Sequence, residues 1–223
     1  PAITGGYRRI DGFTNAYGTV PGTGSVLGVG VTAEINDGIL ACRTPSSGNN
    51  YVHRWDDATS AWIAITTSGS PTMTGVARVR FINFNFTTNK TILTDGINPA
   101  ATYDGTTYTP ITHAQAPAAP AYATGFKNHM FLAGDATGKN KLYFSAPLVE
   151  SDFAPGNGAG VIQVGFDIVA IKPFRDTLYI FGQTEIKRLQ GTSSADFVLE
   201  SVTHELGCIA PDSVVEIGGD LIF

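Results

Sequence analysis

A turn followed by a short apolar strand recurs along this sequence, and it restricts the possible folds more than any other feature. Five copies align on one aliphatic residue each: Leu40, Leu93, Leu132, Ile180 and Ile222. Subtraction of successive residue numbers gives spacings of 53, 39, 48 and 42 residues. Internal repeats of about 40–50 residues are typical of β-propellers, in which each repeat forms one blade of about four strands.

A second unit, made of a strand, a polar turn and a return strand, follows the first four of these residues. We place it at residues 51–62, 101–108, 141–146 and 185–191. The turn sequences Asp-Asp-Ala-Thr and Asp-Gly tolerate the left-handed backbone of tight hairpins, and the flanking aromatic residues can pair across the strands. Such units bury their apolar faces only by stacking on one another. The sequence therefore predicts an all-β, β-propeller-like repeat of antiparallel strand–turn–strand blades.

We expect four blades and the beginning of a fifth, so that the propeller is incomplete in this chain. Residues 1–109 should hold an N-terminal strand and the first blades, and residues 121–223 further blades, of which the last is cut off. The Ala/Pro-rich residues 110–120 between them should form an extended connector. Residues 18–30, which contain five glycines, should be a loop or a bulged edge strand, and residues 151–160 a long flexible loop.

Composition argues against several classes of function. The net charge of −5 lacks the basic character by which proteins grip nucleic acid through its phosphates. No run approaches the ~18 apolar residues of a membrane span. The two cysteines, Cys42 and Cys208, are too few for a disulfide framework, and we expect both to be small buried apolar residues.

Three patterns that could indicate a catalytic, cofactor or metal site have simpler explanations. Residues 134–140 resemble a phosphate-binding loop, but the spacing is one residue short and Asn140 replaces the Ser or Thr that would hold magnesium, so a hairpin turn is predicted. Residues 156–160 lack the glycine spacing of a dinucleotide site. The four histidines, His53, His113, His129 and His204, lie in different repeats, as strand or surface residues. We therefore predict no catalytic, cofactor-binding or metal-binding residues, and no enzyme activity.

Carboxylates and aromatic residues at the hairpins allow two interpretations. The carboxylates are Asp56, Asp57, Asp104, Asp135, Glu150 and Asp152. Paired carboxylates could cleave glycosides, but aspartates also cap turns, which explains them without a function. The aromatic residues are Tyr7, Trp55, Trp62, Tyr103, Tyr108, Phe144 and Phe174. They could stack on sugars or bases, but their regular placement near hairpin ends fits packing in the core and across strands better.

Several segments resemble a known family of virion proteins. Residues 5–13 (Gly-Gly-Tyr-Arg-Arg-Ile-Asp-Gly-Phe) are similar to the start of phage tail proteins in which such a strand opens a propeller. Residues 142–145, 168–181 and 186–191 resemble the tail nozzle (tail tubular protein B-like) proteins of short-tailed bacteriophages. Members of that family are much longer than this chain.

The resemblance implies a structural part of the virion. Nozzle proteins form a homohexameric ring below the portal and adaptor, close the tail before infection and pass double-stranded DNA during it without binding it specifically. An acidic chain would repel a passing duplex, in agreement with that role. Residues 18–30 and 151–160 should then make subunit contacts. The alternatives are a sugar-binding or sugar-cleaving propeller that acts on a bacterial surface glycan, and a cellular protein-interaction propeller.

Overall fold

The computed structural model describes residues 17–32, 38–46, 52–68, 77–85 and 87–223. Within these residues the chain folds into antiparallel sheets joined by turns, and the helical structure consists of two short 3-10 helices, Pro155–Asn157 and Pro211–Ser213. The predicted all-β class is confirmed. No helix in the described part of the chain has the length and apolar character needed to cross a membrane. Tyr7 lies outside the described residues.

Sheets 1 and 2 contain the first nine strands. Sheet 1 consists of β1 (Thr23–Thr32), β2 (Gly38–Thr44), β3 (Val52–Asp56) and β4 (Ala61–Ala64), in that order. Sheet 2 consists of β5 (Thr66–Thr67), β6 (Arg80–Asn85), β7 (Asn89–Thr94), β8 (Ala101–Tyr103) and β9 (Thr107–Pro110). Strands β6 to β9 follow one another across sheet 2, and β5 pairs in parallel with β9 at its outer edge. Residues 111–121 link β9 to β10 and include a turn closed by a hydrogen bond from Ala116 N to His113 O.

Sheets 3 and 4 repeat the same four-stranded arrangement, and a fifth sheet has two strands. Sheet 3 consists of β10 (Tyr122–Phe126), β11 (His129–Ala133), β12 (Lys141–Phe144) and β13 (Gly160–Gln163). Sheet 4 consists of β14 (Ala170–Phe174), β15 (Thr177–Phe181), β16 (Ile186–Gln190) and β17 (Val198–Thr203), and sheet 5 of β18 (Val215–Ile217) and β19 (Asp220–Ile222). The strand order within sheets 1, 3, 4 and 5 follows the chain, as in the blades of a propeller, and sheet 2 departs from it only by the added strand β5.

The five aliphatic residues that mark the sequence repeat lie on β2, β7, β11, β15 and β19. Each is the second strand of its sheet when the strands are counted from β1, β6, β10, β14 or β18. Two of the predicted hairpins are wrong in one respect. Residues 141–146 and 185–191 contain only the third strand of their sheets, and the return strands β13 and β17 begin at Gly160 and Val198. The connection between β12 and β13 is therefore longer than predicted. It contains turns and the 3-10 helix Pro155–Asn157, which lies within residues 151–160, the segment predicted to be a loop.

The glycine-rich segment forms the innermost strand of sheet 1. Strand β1 lies at the edge of sheet 1, and its register against β2 shifts on both sides of Val26. Of the two structures that the sequence allowed for this segment, a loop or a bulged edge strand, the second is therefore correct from Thr23 onwards. Gly28 and Gly30 face strand β6: a Cβ on Gly28 would lie 2.3 Å from the carbonyl oxygen of Val79, and one on Gly30 would lie 2.5 Å from the Phe81 ring. Glycine is therefore required because sheets 1 and 2 approach backbone to backbone.

The hydrophobic core lies between successive sheets. One cluster joins sheets 1 and 2, another sheets 2 and 3, a third sheets 3 and 4, and a fourth sheets 4 and 5. Strands β7, β11 and β15 each contribute to a cluster on both of their faces; Phe131 of β11, for example, packs toward sheet 4 and its neighbour Leu132 toward sheet 2. Burial on both faces explains why these strands read as continuous apolar runs in the sequence.

Candidate functional site

The turn aspartates hold the hairpins in shape. Asp104 Oδ1 accepts hydrogen bonds from the backbone N–H groups of Thr106 and Thr107, each 2.9 Å long. Asp135 Oδ1 accepts one from Thr137 N at 2.8 Å, and Asp56 Oδ2 accepts from both the backbone and the hydroxyl of Thr59. These are the side chain to backbone bonds that favour aspartate in turns. The structural interpretation of the turn aspartates is confirmed for these positions.

Asp196 is a capping residue that the sequence analysis missed. Its carboxylate accepts hydrogen bonds from the backbone and hydroxyl groups of Thr192 and Ser193, at distances between 2.6 and 3.1 Å. The backbone bonds from Thr192 and then Ser193 lower the pKa of this carboxyl group to about 2. The sequence signal was present, because Thr-Ser-Ser-Ala-Asp is rich in turn-forming residues.

Glu150 differs from the turn aspartates because it is buried, with 4% of its surface exposed. It forms an ion pair with Lys90 on β7 and so connects the β12–β13 connection of sheet 3 to sheet 2. Asp152, two residues later, accepts hydrogen bonds from Ala154 N and from the side chain of Asn157. The two acidic residues therefore have separate structural partners.

The structure does not bring the histidines together. His53 and His129 are buried on β3 and β11, His113 lies in the connection before β10, and His204 is exposed after β17. His129 Nδ1 donates to Ser145 O at 2.5 Å, and its ring packs edge-to-face on Phe144 and Phe197. Among the described residues no group of three His, Cys, Asp or Glu side chains could hold a metal ion.

The remaining sequence candidates occupy structural positions. Residues 134–140 are the turn between β11 and β12, as predicted. Tyr103 and Tyr108 pair across β8 and β9 and are buried in the cluster between sheets 1 and 2, so their predicted packing role is confirmed. Trp55 and Trp62 pair across β3 and β4 with their ring centroids 5.5 Å apart. Both cysteines are buried and free, as expected.

The innermost strands of four sheets surround a cavity of about 300 Å³. Strand β1 contributes Val29, β6 contributes residues 80–82 after Arg78 and Val79, β10 contributes Tyr122, and β14 contributes Ile171. The 3-10 helix that precedes sheet 5 covers one side with Pro211 and Asp212. This central cavity is where the repeats converge, and it is the strongest candidate for a functional site.

Two arginines in the central cavity share one carboxylate. Arg80 donates from Nε to Asp212 Oδ1 at 2.9 Å and from Nη2 to Oδ2 at 3.1 Å, and Arg78 Nε lies 2.9 Å from the same Oδ2. The guanidinium group of Arg80 also lies over the ring of Tyr122, 5.1 Å from its centroid. Burial raises the pKa of Tyr122 above its ordinary value, so this phenol is neutral at physiological pH. The cluster therefore carries a net charge of +1.

The alternation of the sequence explains why both arginines point into the cavity. In Arg78-Val79-Arg80-Phe81 the apolar residues pack against the cluster between sheets 1 and 2. Residues two apart project from the same face of a strand, so the arginines share the opposite face. Asp212 lies 132 residues from Arg80 along the chain, and no sequence pattern indicates that they meet.

Comparison with known proteins gives little beyond the architecture. No protein-family model matches the chain, and no curated protein matches it. Among solved structures, the chain is similar to that of BBS1N in complex with ARL6DN, with 7% sequence identity and a TM-score of 0.45. The alignment covers 80% of this chain and 51% of that one, so this chain spans about half the length of the structure that it matches. Likeness at this level carries no functional information.

Proposed function

We propose that this chain is a non-enzymatic structural component of a bacteriophage tail. In this proposal it belongs to the virion, as part of a nozzle or tail-tube ring that contributes to the conduit for genome ejection. The proposal rests on the resemblance of residues 5–13, 142–145, 168–181 and 186–191 to nozzle proteins, together with one observation on the surface of the molecule.

That observation is an uncovered apolar surface at the end of the stack of sheets. Phe174, Tyr179 and Phe181 of sheet 4 and Leu221 of sheet 5 line an apolar groove of about 410 Å³. Large apolar residues that line it are strongly exposed: Val202 48%, Leu206 62% and Phe223 47%. Contiguous exposed apolar surface of this kind marks sites of protein–protein contact. We expect either a neighbouring copy of the chain in the ring or the further strands of the fifth blade to cover it.

The packing of sheets 3 and 4 supports the role of a scaffold. Leu142, Leu178, Ile180 and Leu189 come from the segments that resemble nozzle proteins, and all four are fully buried between these two sheets. A stack of sheets held together by close-packed apolar contacts resists deformation. A tail component has to resist deformation during genome ejection. The proposed partners are other copies in a hexameric ring, the portal and adaptor, and other tail proteins, with double-stranded DNA passing through without specific binding.

The size of the particle in solution tests this proposal. We expect the full-length protein to form a ring of six copies by light scattering after gel filtration, and antibodies against it to label phage tails in electron micrographs. Leu206→Asp should reduce the assembly to smaller species, because it places a charge in the contact surface. Val161→Asp is the matched control, since Val161 is 46% exposed on the outer strand of sheet 3, away from the groove. A monomer at all concentrations, or tails without label, would contradict the proposal.

The alternative of a sugar-cleaving propeller would need two facing carboxylates and a stacking aromatic ring in the central cavity. Of the described residues that line this cavity, Asp212 supplies a carboxylate, and both of its oxygens are engaged by arginine. The observed geometry therefore gives this alternative no specific support.

A further inference from the structure

We propose that the central cavity binds an acidic peptide segment, through a carboxylate that accepts hydrogen bonds from Arg78. The inference concerns the chemistry of the cavity and does not depend on the assignment to a phage tail. It rests on the donors left over by the arginine pair, on the size of the cavity and on the way in which Asp212 already occupies it.

The arginine pair has more donor groups than Asp212 uses. Each guanidinium group has five N–H donors. Arg80 directs Nε and Nη2 to Asp212 and Nη1 to the carbonyl oxygen of Ala121, so that it is bound on both sides. Arg78 contacts Asp212 through Nε, and its two Nη groups have no acceptor among the described residues. With 65% of its side chain exposed, Arg78 can receive a second carboxylate.

The electrostatic balance of the cavity favours an anion. Arg78 and Arg80 are opposed by Asp212 alone among the charged residues that line it, which leaves one positive charge. The other residues that line the cavity include the apolar Val29 and Ile171. A hydrogen bond between Arg78 and a carboxylate is charge-assisted, and it remains sensitive to salt because 65% of the Arg78 side chain is exposed.

The way Asp212 binds indicates which anion fits. Asp212 is held by Arg80 in the bidentate geometry that matches a planar carboxylate. It reaches the arginines from the short 3-10 turn Pro211–Ser213, whose hydrogen bond from Ser213 N to Ala210 O gives it a compact backbone. An acidic residue on a short turn of another polypeptide would present the same carboxylate group as Asp212, on a backbone of similar width. A cavity of about 300 Å³ accommodates a few such residues.

Titration of the isotope-labelled protein with a synthetic peptide tests the proposal by NMR. The probe is Gly-Ala-Pro-Asp-Asp-Ser-Gly, and the control peptide carries Asn in place of both Asp residues. We expect saturable shifts of the Arg78 Nε–H signal with the acidic peptide and none with the control peptide. The shifts should weaken as salt is added, since the pair is partly open to solvent.

Three variants separate binding from folding. Arg78→Gln should weaken binding about tenfold, the equivalent of one charge-assisted hydrogen bond. Arg188→Gln is the matched control, because Arg188 is also paired with one carboxylate, Glu200, at 2.8 Å and is 42% exposed, but lies on sheet 4 outside the cavity. Asp212→Asn should strengthen binding several-fold, since it removes the competing carboxylate; a purely structural role of this residue would produce no gain. The backbone signals of sheets 3 and 4 report whether each variant is folded.

Three results would overturn the proposal. The first is the absence of shifts at Arg78 with up to about 10 mM peptide. The second is equal shifts with the acidic and the control peptide, which would show that no carboxylate is recognised. The third is a tighter response to inorganic phosphate than to the peptide, which would assign the cavity to phosphate ligands instead.

Discussion

The replacement Gly28→Ala tests how the first two sheets are held together. In the native structure the backbone of β1 lies so close to β6 that a Cβ at residue 28 would be 2.3 Å from the carbonyl oxygen of Val79. Carbon–oxygen contacts are comfortable at about 3.3 Å, so the strands must separate by about 1 Å. The same movement would stretch the hydrogen bond from Val79 N to Leu27 O, which is 3.0 Å long.

The cost can be estimated from these two effects. Overpacking of a fixed contact costs about 1–3 kcal/mol, and loss of the hydrogen bond about 0.5–1.5 kcal/mol. Alanine also lowers the conformational entropy of the unfolded chain, which stabilises the folded protein by about 0.4–1 kcal/mol. The free energy of unfolding should therefore fall by roughly 0.5–4 kcal/mol. For a chain of this length that is a decrease in Tm of about 1–16 °C.

Thermal unfolding followed by circular dichroism, together with the denaturation midpoint in guanidinium chloride, measures this change. Gly156→Ala is the control, because a Cβ at that position would have no atom within 4 Å, so the Tm should stay the same or rise by up to about 4 °C. If Gly28→Ala were as stable as this control, the backbone contact between β1 and β6 would not exist in solution.

Three further predictions concern single side chains. Leu178→Ala, at a fully buried position between sheets 3 and 4, should lower the free energy of unfolding by about 2–5 kcal/mol in denaturant titrations, whereas Leu148→Ala at an exposed turn should have little effect. Asp196 has a folded-state pKa of about 2, below its ordinary value of 3.8, so its contribution to stability is complete above pH 4 and is lost as the pH falls toward 2. Asp196→Asn should therefore be less stable than the wild type at pH 7 and equally stable near pH 2, and equal stability at both pH values would contradict the capping role. Burial raises the pKa of the Cys42 thiol, so this residue should react with a thiol reagent only after unfolding, and rapid labelling of the native protein would contradict its position.

The strands that the sequence predicted best are those buried on both faces. Ile92 and Leu93 of β7, like Phe131 and Leu132 of β11, face different core clusters with adjacent residues. Such strands cannot tolerate polar residues on either face, and the resulting apolar run stands out against the turns around it. This is why the repeat could be recognised and why its spacing indicated the number of sheets.

The innermost and outermost strands could not be predicted so well, for two different physical reasons. At the centre, the close approach of neighbouring sheets selects glycine, as at Gly28 of β1 and Gly125 of β10, where a Cβ would overlap the Phe84 ring. Glycine is otherwise a signal for loops. At the periphery, β13 and β17 have exposed residues such as Val161 and Val198 and lack a continuous apolar face. Both β13 and β17 are therefore far less distinct in the sequence than the second strands.

The central cavity could not be predicted from sequence patterns, because residues far apart in the chain form it only in the folded structure. Arg80 lies on sheet 2 and Arg78 just before it, and Asp212 precedes sheet 5, whereas the core clusters connect only neighbouring sheets. In a stack of that kind, stability comes mainly from interactions between neighbours. An ion pair as exposed as Arg78 with Asp212 contributes about 0–1 kcal/mol, which is small beside the burial of a single leucine. Stability therefore explains little of why two arginines lie at this position, and the Nη groups of Arg78, which no described residue accepts from, point instead to recognition of an anionic partner.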